Sequence, residues 1–285
     1  MSVGTPARNP VVWGWDQLRG ALHPHPAVIH PAPKLAIARL APSDLGAALA
    51  EGWADFRADP THYLFLCAFY PVVGLVLGRL ASGAGTVALI FPLVAGFALL
   101  GPFAAVGLYE LSRRREAGQP VAWWNAFGVF RAPYFPEILK LGLGLSAWFV
   151  LWLIVAEGLY LLTLGPVAPH SVAALLAAVL GTRAGWALLV LGNAAGFGFA
   201  AAALVAGVVS FPMIVDRGVS VETALATSLA TARANPAMIA GWGLIVAAIL
   251  VLGSLPFLLG LAVAIPLLGH ATWHLYRRAV IWPEA

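Results

Sequence analysis

A thirteen-residue stretch that this chain uses twice constrains its fold more than any other feature. Ala48 to Pro60 reads A-L-A-E-G-W-A-D-F-R-A-D-P and Ala224 to Pro236 reads A-L-A-T-S-L-A-T-A-R-A-N-P, with seven of thirteen positions identical at a constant offset of 176. Leu45, Leu49, Trp53 and Phe56 recur as Val221, Leu225, Leu229 and Ala232. Their spacing of 4, 4 and 3 is one stripe of an α-helix. Asp44 and Ser220 share a repeat position and read as N-caps. Each copy closes on Arg, a small residue, Asp or Asn, and Pro, which stops a helix. A weaker third copy keeps Trp123, Phe127, Phe130, Arg131 and Pro133, with one residue fewer before the proline. A long apolar segment follows every copy. The expected unit is therefore a short amphipathic helix leading into a membrane hairpin, in quasi-repeats of about 44–115, 119–217 and 220–278.

Composition names the solvent. Of 285 residues, 61% are hydrophobic and 10% charged, against about 25% charged in soluble domains. Mean hydropathy is +0.89. Lipid surrounds most of such a chain. A span takes about 20 apolar residues, and the candidates are about 62–81, 86–110, 138–163, 185–215, 237–255 and 257–276. Ser82, Gly83 and Gly85 separate the first pair; Gly253, Ser254 and Pro256 separate the last. The fold class expected is an all-α polytopic membrane protein: six transmembrane helices as three hairpins, each preceded by a cytoplasmic amphipathic helix. Basic residues accumulate on the cytoplasmic side of a membrane. This arrangement puts fourteen of the sixteen Lys and Arg there, leaving Arg79 and Arg183 opposite. A bacterial inner membrane with both termini cytoplasmic follows as the expectation.

The net charge of +4 builds no basic face, because the cations sit in the loops between apolar segments, so nucleic acid is not an expected partner. The single cysteine, Cys67, excludes a disulfide within the chain and a cysteine-based metal site. No signal peptide is expected, since no apolar run precedes about residue 63. Residues 1–41, with His23, His25, His30 and seven prolines, read as an extended arm, 42–280 as the membrane domain and 281–285 as a tail.

Few residues carry chemistry. Glu157 is the one carboxylate well inside an apolar segment, and intramembrane ionisable groups are functional candidates. At 1.5 Å per residue it lies about 28 Å up its helix and Arg79 about 25 Å up its own, so an ion pair or a carboxylate reaching the far interface accounts for it. His270 and His274, spaced i, i+4, share a helical face as metal or haem ligands do. No third ligand follows on that face, and a polar helix end docked on the amphipathic helices explains them better. Gly74 with Gly78, and Gly192 with Gly196, have the spacing that lets membrane helices approach closely. Arg57, Arg131 and Arg233 occupy one repeat position, and Glu110 and Asp216 end the second and fourth spans. One expectation is that these carboxylates take two of the arginines and fasten the amphipathic helices; the other is that all three arginines face lipid headgroups. No acid–base pair, nucleophile motif or phosphate loop is legible, so no enzymatic activity and no cofactor are expected.

F-P-M-I-V-D-R-G (211–218), A-R-A-N-P (232–236), G-S-L-P (253–256) and P-L-L-G-H-A-T-W-H-L-Y-R (266–277) resemble a family of bacterial inner-membrane proteins, DUF2189, over roughly residues 42–280. Some of its members are labelled cytochrome c oxidase subunits. The resemblance implies a neighbourhood in the respiratory chain; this chain lacks the dispersed histidine set of a catalytic oxidase subunit. The functional expectation is an accessory, assembly or scaffolding subunit in contact with lipids and another membrane protein, such as a respiratory complex. The alternative is a small-solute or proton-coupled transporter, because internal repeats recur in transporters.

Overall fold

The computed structural model describes residues 35–58, 89–166, 169, 171–256 and 258–283. These residues are almost wholly helical. In order come β1 (Ala36–Ile37), α1 (Pro42–Ala58), α2 (Ile90–Phe97), a 3-10 turn, α3 (Gly101–Ala104), α4 (Val106–Glu116), a 3-10 segment (Trp123–Arg131), α5 (Phe135–Thr163), α6 (Val172–Gly181), α7 (Arg183–Gly207), α8 (Ser210–Arg217), α9 (Val221–Ala234), α10 (Pro236–Ser254), α11 (Leu261–Ala279) and β2 (Val280–Ile281).

Among the described residues, four stretches are long and apolar enough to cross a membrane: Phe91–Glu116, Phe135–Thr163, Arg183–Arg217 and Pro236–Ser254. They correspond to the second, third, fourth and fifth expected spans. The first expected span, with Gly74, Gly78 and Arg79, lies outside the described residues, as does most of the 1–41 arm. The sixth falls on α11. That helix does not join the four because the histidines and arginines of its second half, from Leu268 to Ala279, lower its hydropathy; this half is largely buried in protein. Residues 164–184, expected as a loop, hold α6, a helix too short to span, capped by Ser171 Oγ, which accepts from Ala174 N at 3.1 Å.

Prolines divide the long stretches. Pro102 opens α3 where the second span breaks. Pro212 sits in the first turn of α8, and its ring cannot coexist with a continuing helix at Val208. The Val209 N–H beside this break turns instead to Ser228 Oγ, at 3.3 Å. Between α10 and α11, Gly253 and Gly260 press together: a Cβ on Gly260 would lie 2.7 Å from the Gly253 carbonyl oxygen. The glycines thus let the end of α10 and the start of α11 approach closely.

The repeat is visible in the packing. Both full copies are helices, α1 and α9, while the shorter third is wound into 3-10 turns with Asn125 Oδ1 accepting from Ala122 N at 2.8 Å. Ser220 caps α9 as expected, its Oγ accepting from Thr223 N. Asp44 instead lies inside the first turn of α1 and reaches back to Ala41 N at 2.7 Å, one half of a capping box. Each copy docks on the helix that ends another repeat. α1 lies on α11, the 3-10 segment on α4, and α9 on α7 and α8. These relations run round the molecule, and β1 closes them by pairing antiparallel with β2, Ala36 opposite Ile281.

The inward face of α1 keeps both ends of the apolar pattern, Leu45 and Phe56, but leaves Trp53 outside. Leu45, Ala48, Gly52 and Asp55 are buried in α1, while Trp53 is 41% exposed. In α9 the equivalent Ala224, Ser228 and Thr231 are buried and Leu229 is 40% exposed. Each helix is rolled so that small residues meet the protein and the bulky one faces out. The cause is backbone proximity: a Cβ on Gly52 would stand 2.5 Å from the Ala271 nitrogen, a crossing too close for a large side chain.

Candidate functional site: a buried polar clasp

The close crossing at Gly52 brings the polar residues of α1 against those of α11, and α4 completes the group. Asp55, one turn beyond Gly52, is almost fully buried. Its Oδ2 accepts from Ser112 Oγ of α4 at 2.7 Å and faces His274 Nε2 of α11 at 3.0 Å. Arg115 of α4 donates to the Asp55 backbone oxygen at 2.9 Å and stands 3.7 Å from Oδ1. Ser112 Oγ also lies 2.7 Å from His270 Nδ1. Outside this core, Glu51 forms a two-pronged pair with Arg278, both contacts at 2.7 Å, and lies 3.2 Å from His274 Nδ1.

Protons can be assigned along this chain. Burial alone would raise the Asp55 carboxyl. The hydrogen bonds from His274 and Ser112, together with the adjacent histidines, outweigh burial and hold its pKa below the usual carboxylate range. An ionised Asp55 only accepts, so Ser112 donates to it, and His270 Nδ1–H donates to Ser112. Glu51 is likewise lowered, first by its bond with Arg278. Two carboxylates flank His274, Asp55 facing Nε2 and Glu51 facing Nδ1.

Aspartate, serine and histidine in contact invite comparison with a hydrolase, and the geometry answers it. In a nucleophilic triad the histidine takes the serine proton and the aspartate lies behind the histidine. Here serine is the middle member, donates to aspartate, and is 1% exposed. The arrangement locks three helices together. No group of three His, Cys, Asp or Glu residues able to hold a metal ion occurs among the described residues. His270 and His274 thus sit where a docked polar helix end puts them, with Asp55 as the common partner on α1.

A second group continues along α11. Asp216 of α8 accepts from Tyr276 OH at 2.7 Å and pairs with Arg277 at 3.1 Å and with Arg217. Arg277 also reaches Glu116 of α4 at 3.0 Å, whose other oxygen accepts from Trp273 Nε1. Arg217 stacks 4.8 Å from the centre of the Trp282 ring. Glu110, buried in α4, is held by Arg113 and Arg114, each at 2.7 Å, with Tyr134 OH at 3.5 Å.

Glu110 and Asp216 are therefore paired as expected of buried carboxylates, but with arginines of α4, α8 and α11. Arg57, Arg131 and Arg233 are exposed. Fastening between elements falls to Asp55, Glu51, Glu116 and Asp216. Glu157 is half-buried on α5, and its expected partner Arg79 lies outside the described residues. Asn193, a second polar residue within the long apolar stretches, bonds the Leu189 carbonyl of its own helix. Of the glycine pair in α7, Gly196 packs against α5, where a Cβ would stand 3.1 Å from Trp152, whereas Gly192 meets only a leucine of its own helix. Asp55 was the residue the sequence concealed. Its signal was the small-residue face, Ala48 and Gly52, that turns it inward.

Residues 90–216 match the family model DUF2189, described as a predicted integral membrane protein. The match runs from α2 into α8 and includes part of the 211–218 motif, while the motifs at 232–236, 253–256 and 266–277 lie beyond it; the chain is an integral membrane protein with several apolar helices. No curated protein and no solved structure matches it.

Proposed function

We propose that this chain is a non-catalytic accessory, assembly or scaffolding subunit of a bacterial inner membrane, with a respiratory complex as its candidate partner. Its architecture in this reading is six spans in three hairpins, α11 being the sixth, with both termini and all three amphipathic elements on the cytoplasmic side. One observation carries the reading. The strongest polar constellation is closed upon itself: Asp55, Ser112, His270 and His274 bind one another between three helices, and the hydroxyl is inaccessible to a substrate. What the long helices turn outward is apolar, as at Ile154, Leu162, Phe197 and Leu244. Such surfaces suit lipid and the flanks of other membrane helices. Fourteen of sixteen basic residues on one side supports the orientation.

Purification in mild detergent, followed by mass spectrometry of what accompanies the chain, tests this. Stoichiometric membrane proteins, oxidase components among them, are expected. A chain that purifies alone and drives solute flux in proteoliposomes would sink the accessory reading. The threefold docking of repeat elements favours the transporter as the second reading, since repeats build transporter folds. In that case Glu157→Gln abolishes a proton-coupled flux with folding unchanged. Reporter fusions after residues 84, 175 and 255 (periplasm) and 118, 225 and 285 (cytoplasm) test the topology; a cytoplasmic result at 175 would break the six-span arrangement.

A further inference from the structure

The repeat preserves an outward pair as faithfully as an inward stripe. Trp53, Phe127 and Leu229 occupy one repeat position, on α1, the 3-10 segment and α9, and are 41%, 48% and 40% exposed. Four residues on, Arg57, Arg131 and Arg233 occupy another, and all three are exposed. A spacing of four puts the apolar residue and the arginine on one side of α1 and of α9; in the 3-10 segment, at three residues per turn, Arg131 stands about a third of a turn from Phe127. In sequence, Pro60, Pro133 and Pro236 follow each arginine within three residues, ahead of an apolar segment. Glu110 and Asp216, the carboxylates on neighbouring span ends, are held by Arg113, Arg114, Arg217 and Arg277. In the second copy Arg114 adds positive charge, its guanidinium 4.0 Å from where a Cβ on Gly128 would stand. Aromatic content is greatest there too, with Trp124 and Phe130 exposed beside Phe127. The nearest acid described on α9 is Glu222, eleven residues before Arg233 and so about 16 Å away along the helix axis.

We infer that Arg57, Arg131 and Arg233 form three equivalent sites for the phosphate of anionic phospholipids, with Trp53, Phe127 and Leu229 inserted among the acyl chains beside them. A planar guanidinium donates two parallel hydrogen bonds to a phosphate, and a bulky apolar residue one turn away fixes its depth at the interface. The repeat spaces three such sites around the molecule. Function thereby enters the outward face: the chain orders anionic lipid in a ring at the cytoplasmic leaflet. This rests on the cytoplasmic placement of the amphipathic elements in the reading above.

The test is native mass spectrometry of the full chain released from nanodiscs containing equal phosphatidylglycerol and phosphatidylcholine. Wild type is expected to retain phosphatidylglycerol selectively. Retention falls stepwise through R57Q, R57Q/R131Q and R57Q/R131Q/R233Q, with at least a tenfold loss of selectivity in the last. Arginine-to-lysine versions, which keep the charge, lose only part of it. Equal retention in wild type and the triple glutamine variant would overturn the inference. So would unchanged lipid binding with loss of a co-purifying protein, which assigns the arginines to a protein partner. The reporter fusions after residues 118 and 225 separate a failure of topology from a failure of lipid binding. If the triple variant does not fold, the single variants decide the matter: each is expected to lose about one bound lipid, and full retention in all three would overturn the inference equally.

Discussion

Two copies of one sequence, α1 and α9, solve the same docking problem with different chemistry. Both turn Ala48 or its equivalent Ala224 inward, both turn a bulky residue outward, and both rest on the end of a helix from another repeat. At the next inward positions they diverge. α1 has Gly52 and Asp55; α9 has Ser228 and Thr231. Ser228 donates to the Val205 carbonyl at 2.6 Å and accepts from Val209 N, so a hydroxyl repairs the backbone beside the Pro212 break. Thr231 is fully buried, and its Oγ1 has no hydrogen-bond partner among the described residues. Asp55, in contrast, collects donors from two other helices. A repeat position can thus be neutral ballast in one copy and the anchor of three helices in another. Burial alone does not reveal importance; the set of partners does.

The largest expected difference comes from removing that anchor. Asp55→Ala leaves Arg115 and His274 facing a void, and breaking a buried charged pair costs about 3–5 kcal/mol. Thr231→Val removes a buried hydroxyl that bonds none of the described residues, so it should change stability by less than about 1 kcal/mol, in the stabilising direction if at all. Thermal unfolding in detergent reads both, and equal losses would erase the contrast.

The second comparison is steric. Gly52→Ala drives a methyl into the Ala271 backbone and should cost about 1–3 kcal/mol, or more where the helices cannot separate. Ser228→Ala creates no clash but orphans the Val205 and Val209 backbone groups, with a loss of about 1–3 kcal/mol. A compensating substitution separates the causes. Shortening Ala271 to Gly should partly rescue Gly52→Ala and leave Ser228→Ala unaffected.

Acid should distinguish the two helices next. The Asp55 and Glu51 carboxyls titrate lower in the folded chain than when unfolded. The unfolded state therefore binds more protons as pH falls through the carboxylate range. The stabilisation is complete above the ordinary carboxylate pKa and is lost as pH drops toward the lowered values. The thermal midpoint should fall below about pH 4, and Asp55→Asn should flatten that dependence from a lower plateau, whereas Thr231→Val leaves its shape intact. The smallest effects belong to the outward residues. Trp53→Ala and Leu229→Ala should each alter stability in detergent by no more than about 0.5 kcal/mol, because both are surface positions. A loss of about 2 kcal/mol in either, the size of a core truncation, would mean that the helix is rolled differently.

The membrane class, the long apolar helices and the repeat were legible because each follows from composition or period over many residues. The roll of the amphipathic elements was legible only in part. Of the stripe Leu45, Leu49, Trp53 and Phe56, the two ends are buried as periodicity asks, but Trp53 turns outward, because in lipid an apolar residue can face either side. Small residues then decide, since close approach between backbones replaces the hydrophobic drive between helices. The same shift hid Asp55, which the apolar stripe leaves at its margin. The i, i+4 histidines read as a docked polar end from their place beside Arg277, but their partner could not be named until Gly52 set the crossing. Arginine pairing was illegible for another reason. Shared repeat position pointed to Arg57, Arg131 and Arg233, whereas Glu110 and Asp216 found cations on their own helices and on α11.

The contact between Asp55 and His274 joins residues 219 positions apart. A ribosome adds roughly 5–20 residues per second, so α1 emerges about ten to forty seconds before α11 exists to receive it. For that interval the first helix carries an aspartate that lacks its histidine donor. Only when the final helix arrives does β2 reach β1 and the ring shut. Closure of the clasp therefore waits for α11, and a ribosome stalled short of residue 270 would leave Asp55 without either of its histidine neighbours.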